Sequence, residues 1–131
     1  MKKYLSWLLI SIVAITFTSC EEEIDARVSG LVGSWEMIGT QDGAPLPGQD
    51  NIFTFYDNCT GLYEAYDELG NWEEYPFEWE WESGFSYQSK IVYIYIGHDT
   101  WTYNYYIDEY GYLRLLEYSN PNVYSIYRPL Y

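Results

Sequence analysis

Between residues 75 and 82 the chain alternates rings with carboxylates: Tyr75, Phe77, Trp79 and Trp81 interleave with Glu78, Glu80 and Glu82. A helix advances about 100° per residue and would scatter both sets around its circumference. A strand sends them to opposite sides, so one face buries rings while the other meets water. The same two-residue period recurs over 33–40, 52–57, 61–67, 91–97, 101–108, 112–118 and 123–128. Eight strands are therefore predicted, and no stretch after residue 20 carries a helical apolar period.

The segments between these runs hold turn chemistry. Residues 57–61, 68–71, 83–84, 97–99, 109–111 and 119–122 are rich in Gly, Asn, Asp, Ser and Pro, which suit tight reversals or positive φ. Gaps this short leave no room for crossover helices, so consecutive strands must pair antiparallel. Residues 41–50, a Gly/Pro loop, form the one long connection. An open eight-strand meander would leave two unpaired edges, which closure removes. The expected fold is all-β: a small eight-stranded antiparallel up-and-down barrel.

Charge raises the question of disorder. Outside Lys2 and Lys3 the chain holds four of its six basic residues against all twenty acidic ones, a formal charge of −16. Aromatics supply 21% of the residues, with seventeen Tyr and six Trp, which is enough apolar area to fold a chain of this length. A surface this acidic is repelled by nucleic acid and by anionic headgroups. No nucleic-acid partner is expected.

The N-terminus reads as an export signal rather than as structure. Lys2 and Lys3 precede fourteen uncharged, largely apolar residues from Tyr4 to Phe17, too few for the roughly 18–20 of a spanning helix. Phe17-Thr18-Ser19-Cys20 resembles a lipobox, which implies cleavage before a cysteine that carries lipid. The predicted organisation is a lipoprotein signal peptide over 1–19, an acidic tether over 20–28 and the barrel domain over 29–131. Cys20 is the expected site of lipid attachment, with the protein held to the outer membrane. Glu21-Glu22-Glu23 resembles acidic tracts that route lipoproteins to the cell surface in some Gram-negative commensals; a solvated tether fits the same residues. With Cys20 lipidated, Cys59 has no internal partner, and the barrel is expected to hold through its core alone.

Leu31-Val32-Gly33-Ser34-Trp35 resembles the G-x-W opening of lipocalins and of the short lipocalin-like domains of bacterial lipoproteins. Phe53-Thr54-Phe55 with the turn at 58–61, Phe77-Glu78-Trp79, residues 105–115 and the closing run 124–128 extend the similarity over most of 29–128. The resemblance implies a barrel closed at one end under Trp35. It also implies an arginine on the last strand lying across that tryptophan. Arg128 occupies the place, and Gly33, Trp35 and Arg128 form the expected structural motif. An ordinary surface charge is the other reading of Arg128. The chain lacks the long helix of full-length lipocalins, so Phe53, Phe55, Tyr63, Phe77, Trp79 and Tyr105 are either ligand lining or packed core.

Catalytic chemistry finds little to work with. His98 is the single histidine, placed in a loop, and Glu78, Glu80 and Glu82 alternate with core rings and so face water. Metal-ligand spacing of His or Cys is missing from the sequence. Asp42, Asp50, Asp67, Glu68 and Asp99 would gather near one barrel end, without spacing that specifies calcium. Neither an enzyme nor a resident cofactor or metal is expected. Two functions remain: a barrel that binds a small apolar or aromatic ligand or a glycan fragment, or a solid barrel that meets a protein partner through its outer surface. For the first, the open rim would comprise residues 41–50, 67–71, 97–100 and 118–122, with 41–50 as a lid. For the second, Tyr93 and Tyr95 matter, since either they or Val92, Ile94 and Ile96 must face outward.

Overall fold

The computed structural model describes residues 29–45, 48–83 and 90–130; the signal, Cys20 and the run Glu21–Glu23 lie outside them. Eight strands follow in order: β1 (Gly33–Thr40), β2 (Asn51–Phe55), β3 (Thr60–Tyr66), β4 (Trp72–Ser83), β5 (Lys90–Ile96), β6 (Asp99–Ile107), β7 (Leu113–Glu117) and β8 (Tyr124–Leu130). Each pairs antiparallel with the next, and β8 returns to β1, giving a closed up-and-down barrel. All eight predicted strands are present, with ends shifted by a few residues. Closure runs from Ser34↔Leu130 to Thr40↔Ser125, with a register shift between Met37 and Gly39. Such a bulge adds local twist and bends the wall.

The turns explain the registers. Asp67 Oδ1 accepts the amides of Leu69 (2.8 Å) and Asn71 (2.9 Å). Asp108 Oδ1 does the same for Tyr110 (2.9 Å) and Tyr112 (3.0 Å). In each turn a glycine, Gly70 or Gly111, takes the left-handed conformation three residues after the aspartate. One short motif, Asp-x-x-Gly, thus sets two hairpins at opposite ends of the barrel.

Inward positions follow the alternation read from the sequence. Phe53, Phe55, Phe77, Trp79, Val92, Ile94, Tyr105, Leu113, Leu115 and Tyr127 are buried in one cluster with Leu31 and Trp35. Phe53 sits at its centre, with ring centroids of Phe55, Tyr63 and Tyr127 at 5.7, 4.8 and 5.5 Å. On β5 it is Val92, Ile94 and Ile96 that face inward, leaving Tyr93 and Tyr95 on the outer wall. There Tyr93 Oη donates to Glu82 Oε1 at 2.6 Å, and Tyr95 stands beside Glu80, where burial and then that carboxylate raise its phenol well above the usual range.

The closed end differs from expectation. Arg128 does not lie across Trp35. It pairs in register with Glu36 while Trp35 pairs with Pro129, so the arginine and the indole occupy opposite faces of the wall. Its guanidinium binds Glu36 Oε1, with Nε at 2.8 Å and Nη2 at 2.7 Å. Tyr124, Ile126 and Arg128 do share a face, but that face is the outer one, because Tyr127 takes the interior position. Residues 29–31 close the end instead. Leu31 is fully buried; its carbonyl accepts Trp35 Nε1 at 2.9 Å and its amide bonds Ser29 Oγ at 3.0 Å. Tyr105 Oη donates to the Ser29 carbonyl at 2.9 Å. Arg128→Ala is therefore expected to cost no more than about 1 kcal/mol, as for other exposed pairs. A double-mutant cycle with Glu36→Ala in urea checks this, and a loss above 2 kcal/mol would contradict the surface placement.

Cys59 also departs from expectation. It is disulfide-bonded, although the sequence had offered it no internal partner. The chain has two cysteines, and Cys20, the other one, lies outside the described residues.

Candidate functional site

The antiparallel order places the loops 41–50, 67–71, 97–98 and 118–123 at the end away from Leu31. At this open end the wall is uneven. The outermost pair between β6 and β7 is Tyr103↔Glu117, so residues 99–102 of β6 extend beyond β7 and pair only with β5. A hydrogen bond from the Tyr118 amide to the Thr102 carbonyl at 3.3 Å closes the base of the gap. A cleft of about 400 Å³ occupies this notch, lined by Thr100–Tyr103 and Glu117–Ser119.

Two of the residues at the notch, Trp101 and Tyr103, carry rings that reach the core. Trp101 and Tyr103 are half-buried and rest on the core cluster. Trp101 meets Tyr63 edge-on at 5.1 Å and Phe53 at 6.4 Å, and Tyr63 leads on to Tyr75 at 6.2 Å. Burial, with the Glu117 carboxylate and Tyr63 behind it, pushes the Tyr103 hydroxyl well above the usual phenol range. Burial and then Tyr75 raise that of Tyr63. Both phenols therefore stay protonated and keep an O–H to donate, while Glu117 supplies an acceptor.

The six residues offered as ligand lining divide unequally. Phe53, Phe55, Phe77, Trp79 and Tyr105 are buried in the packed cluster, each 4% exposed or less. Tyr63 alone reaches the layer next to the mouth. Trp101, Tyr103 and Glu117 were missed. Their strands were legible, but the notch arises because β7 is shorter than β6, a matter of register.

The root of the long loop is fixed on β8. Gln41 Oε1 accepts the Tyr124 amide at 3.0 Å, and the Gln41 amide reaches the Tyr124 carbonyl at 3.3 Å. Residues 46–47, at the middle of the expected lid, lie outside the described residues. His98 is exposed in the β5–β6 turn. The rim carboxylates do not assemble a metal site: among the described residues no three His, Cys, Asp or Glu side chains gather to hold an ion. Asp67 already accepts two amides of its own loop.

No protein-family model, no curated protein and no solved structure matches the chain.

Proposed function

We propose that the domain is a non-catalytic binding barrel of lipocalin-like type, held at the outer membrane by lipid on Cys20. Its ligand is a small apolar or aromatic molecule, or one ring of a glycan, and it lies in the notch at the open end rather than deep in the barrel. The observation that carries this reading is the cleft of about 400 Å³ beside Trp101 and Tyr103, above rings that are already packed on one another. Its size is within the range of small-molecule sites. Binding would come from stacking on the two rings, with Tyr103 and Glu117 fixing orientation.

Native mass spectrometry of the protein purified from its own host tests this. A copurifying small molecule is expected, and Trp101→Ala should lose it while the barrel stays folded. A ligand retained by that variant would place the site elsewhere. The anchor has its own test in the intact mass of the same sample. A thioether-linked diacylglyceryl group on Cys20 supports it, whereas a Cys20–Cys59 disulfide excludes it.

A second reading has one feature in its favour. Tyr66 and Trp72 stand on the outer wall with rings 4.8 Å apart, and Leu69, in the turn between them, is 85% exposed. Apolar surface held out this way suits a protein partner. Crosslinking on intact cells that captures one protein, and loses it in Leu69→Ser with Trp72→Ala, would favour this outer surface over the notch.

A further inference from the structure

We propose that the notch selects a cation: an ammonium or methylated ammonium group on a compact body, seated against Trp101 and Tyr103 with Glu117 as its counter-charge. The inference rests on the reading of the notch as the binding site and adds the chemical class of its ligand.

Ring and carboxylate are the two partners that a cation of this kind needs together. An aromatic face attracts a positive charge within about 6 Å of its centroid, and indole does so most strongly. Trp101 and Tyr103 both line the cleft, and Glu117 lines it from β7, directly opposite Tyr103 in register. Tyr63, 5.1 Å from Trp101, and Tyr75 beyond it continue the ring surface toward the mouth.

Basic side chains of the described residues are confined to one barrel end, while acidic ones occur at both. Among the described residues, the three Lys and Arg side chains belong to the closed half. Lys90 opens β5 opposite Ser83 and Tyr105. Arg114 is bonded to Asp108 at 3.1 Å, and Arg128 to Glu36 at 2.7 Å. The open end carries Asp42, Asp50, Asp67, Glu68, Asp99 and Glu117, with His98 as its one imidazole. On a chain of formal charge −14, this end repels anions and draws cations toward the notch. A neutral sugar could stack on Trp101 but would gain nothing from that field.

The test compares choline with its neutral isostere 3,3-dimethylbutan-1-ol. Both are titrated into the full chain in a non-ionic maltoside detergent, by calorimetry and by the indole N–H signal of Trp101. Choline should bind about 10-fold more tightly than the alcohol, less tightly as salt rises, and should shift Trp101. Glu117→Gln, an exposed change that leaves the rings in place, should weaken choline several-fold more than it weakens the alcohol. Trp101→Leu should abolish binding of both. Equal binding of choline and the alcohol at Trp101 would overturn the cation preference and leave the notch as the site. A Trp101 signal that neither probe moves would overturn the cation proposal, while the site itself still stands or falls on native mass spectrometry.

Discussion

Trp79→Ala should destabilise the domain by about 3–5 kcal/mol, as large aromatic truncations in packed cores do. Trp79 is 1% exposed and meets Phe55 edge-on at 5.2 Å. Its indole N–H is shared between the carbonyls of Tyr56 (3.2 Å) and Thr60 (3.0 Å), and its amide donates to the Cys59 carbonyl at 3.0 Å. The side chain thus holds the β2–β3 turn onto β4. Alanine would leave a cavity and remove the donor from two carbonyls at once. Against a typical domain stability of 5–15 kcal/mol, the loss is a large share. Urea denaturation should show a matching fall in midpoint. Trp79→Phe separates the causes, since it keeps most of the volume, removes the N–H and should cost about 1–2 kcal/mol. A loss below 1 kcal/mol for the alanine variant would mean that Trp79 lines an open space after all.

Gly61→Ala tests the packing with a sign rather than a size. In a strand interior alanine is ordinarily favoured over glycine by about 0.5–1 kcal/mol. Here the change should destabilise by about 1–3 kcal/mol. Gly61 stands opposite Phe55 on β2 and Phe77 on β4, and the Phe77 ring lies across it. An added Cβ would fall well inside contact distance of that ring and of the Thr54 carbonyl oxygen. The carbonyl belongs to the neighbouring strand and cannot turn away. Phe77→Leu in the same chain should recover part of the loss, giving a coupling of about 1 kcal/mol in a double-mutant cycle. Strictly additive effects would show that the ring does not press on Gly61. Stabilisation by alanine would show that the close approach is absent.

Alternation and turn chemistry are local properties, and here they were enough for the strands. The ring–carboxylate period over 75–82 places Phe77 and Trp79 inside and Glu78 and Glu82 outside, as the barrel has them. Aspartate and glycine three residues apart mark the turns after Asp67 and Asp108, because the side chain caps its own loop. With no gap long enough for a crossover, the meander followed, and its closure followed from the edges it would otherwise leave. Parity and register were not available in the same way. Tyr124, Ile126 and Arg128 share a face in any strand, but the neighbour Tyr127 decides which face is interior, and only the packed barrel seats its ring against Phe53 at 5.5 Å. Arg128 consequently meets Glu36 rather than Trp35. The notch has the same origin. Trp101 and Tyr103 share the parity of Tyr105 on their strand, yet their exposure depends on β7 ending opposite Tyr103, and no side chain on β6 encodes where its neighbour stops. Whether a ring becomes core or binding surface was therefore decided by the tertiary structure, since it depends on what stands across the barrel from it.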